Sequence, residues 1–410
     1  MTVVFNRPYE FVPRDSSTLW PWMIQRLRLV DRYLVKKEGV VDYEIRELDR
    51  LRDSISAPHG IVFAPNHCRY ADPLVMVWPA RFAPTNFYAM ASWHLFNKGR
   101  FDQFAMTKCG AFSLNREGSD RKSLETAIEV VSTAERPLIM FAEGMTFRTN
   151  DRVRPLLDGL PFIARAAARK RAKRGDGGKV VIHPAAIKYL CVDDTTAWCH
   201  GQLDALETHL GWKRCVKPDG LVERTVQVCD AIFALNESEF LGRSSSGNHS
   251  DRRHSLCKEL LDRTEDRLGI ETADPDDVSE VGVSERARLI RSKIAKRFFD
   301  GADAQEQVRL RDDAHAADIA VDVRSYSNDY LQCDEATDTR VVETIQRLQE
   351  RLLGKANREV RLKCVIQIGG AITVPPKKGP RDEQDPLITD TSNQIAGMLS
   401  NLATEARPIK

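Results

Sequence analysis

Long apolar stretches are missing from this sequence. None of its hydrophobic runs approaches the ~20 residues needed to span a bilayer. One candidate is cut by Pro79 and Arg81, another by His183 and Lys188. The opening segment, MTVVFNRPYEFVPRD, lacks the basic and unbroken apolar regions of a secretory signal. A cytoplasmic location is therefore expected. A dominant charge is missing too: 61 Lys and Arg stand against 59 Asp and Glu, for a net of +2. The molecule as a whole is then no electrostatic binder of nucleic acid or membrane, and a basic partner surface has to come from local clustering. The nine cysteines show no paired short spacing, which reads as reduced thiols. Cys191, Cys199, His200 and His209 form the densest ligand group but lack the C-x-x-C knuckle, so no metal site is expected.

What is present is an ordinary soluble balance, with 42% hydrophobic and 29% charged residues over 410 positions. That length suggests two or three domains. Residues 15–53 carry a helical stripe through Trp20, Met23, Ile24, Leu27, Val30 and Leu34. Short buried-strand patterns follow at 61–64, 86–90, 111–114, 138–141 and 180–187, with helical patterns between them. Ser119 or Asp120 is placed to cap one of those helices. Alternating strands and helices argue for α/β layers. Beyond about residue 200 the pattern turns helical, at 203–210, 221–241, 251–268, 284–299 and 340–353. Then Val360, Leu362, Cys364, Ile366 and Ile368 alternate as a strand. A lone late strand is most economically a return to the first sheet. The expected division is an N-terminal helical segment (1–55), an α/β core (56–200), a helical insertion (201–355) and a closing strand and helix (356–410).

Chemistry concentrates at Asn66-His67-Cys68-Arg69-Tyr70-Ala71-Asp72-Pro73, between a buried strand and an apolar stretch. On one helix, residues five apart point ~140° away from each other. Asp72-Pro73, however, reads as an N-cap followed by the first helical residue, which leaves His67 on a loop free to fold back onto Asp72. One carboxylate oxygen is then expected to orient the imidazole while the other caps the helix. Taken alone, H-x-x-x-x-D is more simply a capping aspartate and a surface histidine. It has company: Gly110 to Arg116, Phe141-Ala142-Glu143-Gly144-Met145-Thr146-Phe147-Arg148 and His183-Pro184-Ala185 also lie at strand ends, where open α/β sheets place ligands.

This ordered set, from Gly60 to Lys188, resembles the glycerolipid acyltransferases, which include lysophosphatidate and glycerol-phosphate acyltransferases. The resemblance implies an α/β fold, a mixed sheet flanked by helices, here with the long, mostly helical insertion. It implies transfer of a fatty acyl group from acyl-coenzyme A or an acyl-carrier protein to the hydroxyl of lysophosphatidate, with no cofactor. His67 would be the general base and Asp72 its orienting partner. Arg116, Glu143, Gly144 and Arg148 would form the acceptor-phosphate site, with Glu143 orienting an arginine or the loop because like charges repel. Asn66, Arg69 and Lys188 would be further acceptor contacts. An imidazole suits removal of a hydroxyl proton, and arginine's planar fork suits phosphate. Three positions depart from the family pattern: Arg69 replaces a serine, Thr146 an arginine, and Ala185 a branched residue. They leave the acceptor open, glycerol phosphate or a lyso-aminolipid being the other candidates. A catalytically silent lipid-binding scaffold is the rival of another class.

Two surfaces qualify for peripheral contact with the anionic inner face of a membrane. One is the basic run from Arg165 to Lys179, the other the Trp20, Trp22 and Met23 helix beside Arg26 and Arg28. The simpler alternatives are a solvated helix end and a helix packed on the domain.

Overall fold

The computed structural model describes residues 7–118, 120–175, 177–212, 218–325, 330–331, 336–377 and 385–409. Its eight strands are β1 (Val40–Arg46), β2 (Gly60–Pro65), β3 (Tyr88–Ser92), β4 (Ala111–Leu114), β5 (Leu138–Ile139), β6 (Val180–Cys191), β7 (Leu362–Ile368) and β8 (Ile372–Thr373). They form one mixed sheet in the order β1-β7-β6-β2-β5-β3-β4, with β8 also pairing β6. The late strand β7 lies between β1 and β6, parallel to the first and antiparallel to the second. The chain thus leaves the sheet after β6 and returns through its helical region to the position next to the β1 edge.

β2 is buried along its whole length, which accounts for its unbroken apolar run. Ile61 and Phe63 face one core while Val62 and Ala64 face the other, the two-residue period of a strand covered on both sides. Gly60 is required where the strand starts, because an added Cβ would lie 2.1 Å from the Val131 carbonyl oxygen.

Along the N-terminal half run α1 (Leu19–Arg26), α2 (Leu29–Tyr33), a π-helical turn (Leu34–Glu38), α3 (Leu48–Ser56), α4 (Asp72–Val75), α5 (Val77–Phe82), α6 (Trp93–Phe96), α7 (Arg100–Lys108), α8 (Arg121–Thr133) and α9 (Gly159–Arg174). Asp120 caps α8 by accepting from the Ser123 N–H at 3.0 Å. Ser119 lies outside the described residues. The segment expected to be helical through residue 53 is interrupted by β1. Gly39, at φ 71°, ends the π-helical turn, and Val40 to Ile45 then finds β7 as its partner. Seven residues of alternation were hidden inside a longer helical stripe, and a partner some 320 positions away decided between them.

The C-terminal half supplies α10 (Thr196–His209), α11 (Leu221–Leu241), α12 (His249–Leu268), α13 (Glu280–Phe299), α14 (Ala304–Ser325), α15 (Asp338–Leu353) and α16 (Pro386–Ala403). α14 was not anticipated. Its buried side includes Ala314, Ala316, Ala317 and Ala320, small residues that give little apolar contrast along the sequence. α12, α13 and α14 share a core of their own, through residues such as Leu261, Ile290 and Ala317. Met145 and Phe147, between β5 and α9, pack against that core. α10, α11 and α15 instead cover the sheet, with Leu203, Val228 and Ile345 in the core that holds Ile61 and Ile187. The helical region is therefore divided between a layer on the sheet and a bundle against the loop after β5.

Candidate active site

β2 ends at Pro65, yet its neighbour β6 continues to Cys191. Two asparagines finish the pairing that β2 leaves undone. The Asn66 amide accepts from the Ile187 N–H at 2.7 Å and donates to the Ile187 carbonyl at 3.1 Å. Two residues further, Asn150 does the same for Tyr189, at 2.8 and 2.7 Å. Each amide replaces one residue of a missing strand, satisfying backbone groups that would otherwise be buried without partners. Asn66 is fully buried and its side chain is committed to this task.

The loop released by Asn66 carries His67 back onto Asp72, with Nδ1 2.9 Å from Oδ2. Asp72 does not cap the helix as its position before Pro73 suggested. It is the first residue of α4, and its carboxylate is fully buried. Oδ2 also accepts from the Arg69 N–H at 2.8 Å, and Oδ1 accepts from the Tyr189 hydroxyl at 2.7 Å. A carboxylate can only accept, so the His67 proton resides on Nδ1 and Nε2 is left as an acceptor. The Thr146 hydroxyl donates to Nε2 at 2.9 Å. The imidazole is thus held at both ends, with 13% of its side chain exposed. Phe141 packs against its face at 4.3 Å between ring centroids.

Glu143 supports the loop from below, its Oε1 accepting from the His67 N–H at 3.0 Å. Burial pushes this carboxyl up to about 8, against the opposing pull of that bond and of Arg154. Gly144 follows at φ 73°, a left-handed conformation that sends the chain back toward His67. Cys68, beside the histidine, is wholly buried, and burial next to Asp72 pushes its thiol well above the ordinary range. It is no nucleophile.

The arginines expected at a phosphate site have different situations. Arg148, itself at φ 52°, is buried and ion-paired with Glu350 of α15, its Nε donating at 2.7 Å. Its guanidinium also lies over the Tyr70 ring at 5.4 Å. Arg116, just beyond β4, is half-buried beside Glu117. Burial and the like charge of Arg291 on α13 both lower its pKa, while Glu117 raises it. Glu117 in turn accepts from the Trp93 indole at 2.9 Å and lies 3.1 Å from His94 Nε2. Arg291 pairs with Asp318, its Nε at 3.0 Å, and brings Nη1 to 3.9 Å from the Met145 sulfur. Arg69 donates to Gln346 of α15 at 2.9 Å and lies over Tyr189 at 5.2 Å. Its Nε and Nη2 are buried without a hydrogen-bond partner among the described residues. Lys188 is fully buried in an ion pair with Asp151, and burial draws its ammonium down to about 8.

Sequence reasoning did not find Tyr189, Asn150, Glu350 or Arg291. Thr146 was visible only as a departure from a pattern. Among the described residues no group of three or more His, Cys, Asp and Glu side chains could hold a metal ion.

Residues 44–188 match the family model described as Acyltransferase. The segment is an acyltransferase domain. The match begins within β1 and ends in β6, so it holds His67, Asp72, Arg116, Glu143 and Arg148 and stops short of the helical region. No curated protein matches the chain. The acyltransferase domain sets a buried carboxylate, an oriented imidazole and a hydroxyl in line, a geometry suited to taking a proton from an attacking hydroxyl.

Proposed function

We propose that the protein transfers a fatty acyl group from acyl-coenzyme A or an acyl-carrier protein to the free hydroxyl of lysophosphatidate, giving phosphatidate. The observation that carries this reading is the bond from the Thr146 hydroxyl to His67 Nε2. The acceptor hydroxyl would displace Thr146 and occupy that position. As its oxygen attacks the thioester carbonyl, its proton passes to Nε2, and Asp72 stabilises the imidazolium that forms. The carbon–sulfur bond breaks, and Nε2 returns the proton to the departing thiolate. The thioester is already activated, so no covalent enzyme intermediate is needed. Tyr189 and the Arg69 N–H fix the carboxylate so that the imidazole keeps one orientation.

For the acceptor phosphate, Arg116 stands in the field of Arg291, which is paired with Asp318 and reaches Met145, one residue from Thr146. Arg148 is occupied by Glu350, and that carboxylate favours a second reading, an acceptor with an amino head group. The lipid acceptor would be met by a cytoplasmic protein at the inner face of a membrane. A thiol-release assay with acyl-coenzyme A, comparing lysophosphatidate, glycerol phosphate and a lyso-aminolipid, tests the reading. Thiol release that depends on lysophosphatidate and on His67 supports it. Release with no acceptor dependence, or none with any acceptor, overturns it.

A further inference from the structure

α15, the last helix before the chain returns to the sheet, lies outside the matched domain, yet it reaches three segments around the active-site loop. Glu343, Gln346 and Glu350 are spaced three and four residues apart, so they share one face of the helix. Glu343 accepts from the Asn150 N–H at 3.1 Å, Gln346 Oε1 accepts from Arg69 Nη1 at 2.9 Å, and Glu350 accepts from Arg148 Nε at 2.7 Å. The apolar side of the same helix, with Val341, Val342, Ile345 and Leu348, joins the sheet core. A helix needed only to cover the sheet has no use for a buried carboxylate and a buried amide, since each needs a partner to offset its lost hydration. Glu343 and Gln346 are almost wholly buried nonetheless.

The contact made by Gln346 leads to Asp72, because Arg69 holds that carboxylate by two routes. Its own N–H donates to Oδ2 at 2.8 Å. Its guanidinium lies 5.2 Å over the ring of Tyr189, whose hydroxyl donates to Oδ1 at 2.7 Å. Arg69 is buried, and the bond to Gln346 is the one hydrogen bond of its guanidinium among the described residues. Gln346 is itself fixed, its Nε2 donating to the Asn357 carbonyl at 2.9 Å. Without the Gln346 oxygen a buried cation would lose that bond and have to move, releasing the ring it covers and disturbing the turn that carries its N–H. A serine, the residue of the family pattern at this position, is too short to reach α15.

What depends on this support is the tautomer of His67. Nδ1 faces Asp72, which can only accept and so requires a proton on Nδ1. Nε2 faces the Thr146 hydroxyl, which can donate or accept and so imposes neither form. The choice therefore rests on Asp72 keeping its place. An imidazole with its proton on Nε2 has no lone pair there to take the proton of an acceptor hydroxyl.

We infer that Arg69 and Gln346 are positioning residues: through them the helical region clamps Asp72 and keeps the His67 proton on Nδ1. The effect on turnover rests on the general-base reading of His67, and the effect on the ring does not. Nitrogen spectra would be recorded on histidine-labelled protein above the titration of the ring, with His67→Gln assigning the signal. Wild type should show Nδ1 protonated and Nε2 bare. Gln346→Met, of similar volume and without the acceptor oxygen, should show both tautomers, and so should Arg69→Met. Gln346→Glu keeps an oxygen for Arg69 and should restore the wild-type ring. In transfer assays Gln346→Met and Arg69→Met should each lose kcat by about tenfold or more, the scale of a slightly misplaced reacting group, with the KM for the acceptor unchanged. Gln346→Glu should regain most of that loss. Unchanged circular dichroism certifies each fold. A mixture of tautomers in wild type, or the wild-type ring in folded Gln346→Met and Arg69→Met, overturns the inference. So does a rise in the acceptor KM with kcat and ring unchanged, which would make Arg69 a substrate contact. The expected ring spectra without transfer to any acceptor would instead sink the acyltransferase reading and leave the clamp standing.

Discussion

Glu143 makes the stability of the active-site loop depend on pH. Its carboxyl is buried beneath His67 and rises from 4.5 to about 8 on folding, chiefly through loss of hydration. The unfolded chain gives up this proton from about pH 4.5, whereas the folded protein keeps it up to about pH 8. Between those values folding takes up a proton, so stability falls as pH rises, by about 1.4 kcal/mol per pH unit. Across the whole window the cost comes to roughly 4–5 kcal/mol as an upper figure, a large share of a typical folding free energy. Glu143→Gln keeps an oxygen to accept the His67 N–H and keeps a donor in place of the acid proton, but it does not titrate. Its stability relative to wild type should therefore be near neutral at pH 5 and grow more favourable up to about pH 8, then level off. Urea midpoints of both proteins, taken at unit steps from pH 5 to 9, measure this directly. Every other titrating group is common to the two proteins and cancels in the difference. A difference that stays constant with pH would refute the reasoning, and would mean that water or a rearranged loop solvates the carboxylate.

The remaining expectations concern the reaction and the frame around it. His67→Ala should lower transfer on the order of a hundredfold or more in a protein whose circular dichroism is unchanged; near-normal turnover would end the general-base assignment. Thr146→Val should keep turnover within about tenfold, because the acceptor displaces this hydroxyl; a loss on the order of a millionfold, as for a removed nucleophile, would make Thr146 a covalent participant. Arg291→Gln and Arg116→Ala should each raise the KM for lysophosphatidate about tenfold, the size of one lost charge-assisted contact, while leaving the KM for acyl-coenzyme A alone; the reverse pattern would assign both cations to the donor. Asn150→Ala should cost about 2 kcal/mol or more in urea denaturation, since it strands the buried Tyr189 N–H and carbonyl; a cost near zero would show that water replaces the amide.

Much of the α/β layer could be read directly from the chain. β2 announces itself because a strand covered on both faces is apolar without interruption, and β6 does so in spite of the buried His183 and Lys188 within it. The return of residues 360–368 was legible as alternation, and its joining the first sheet followed from having nowhere else to pair, but its place beside β1 did not. β1 and α14 were not legible. The first is a short alternation inside a helical stripe, and the second buries alanines whose contrast with polar neighbours is slight.

The contact between His67 and Asp72 is the part of the site that sequence alone determined. His67 and Asp72 lie five residues apart on one loop, so a turn before a proline is enough to bring them together. The partners that decide what the pair can do come from far along the chain: Thr146 at 79 residues from His67, Tyr189 at 117 from Asp72, and Glu350 at 202 from Arg148. Local propensity carries no information about such contacts, because they form only when separate strand ends and helices pack against one another. An arginine in a motif therefore reads as a phosphate ligand until a helix two hundred residues later supplies its carboxylate. In the same way a tryptophan and leucines near the N-terminus read as core until the folded molecule leaves them on its surface. The sequence sets which groups are available; the tertiary structure decides which of them are already spent on each other, because a buried charge or backbone dipole without a partner is costly.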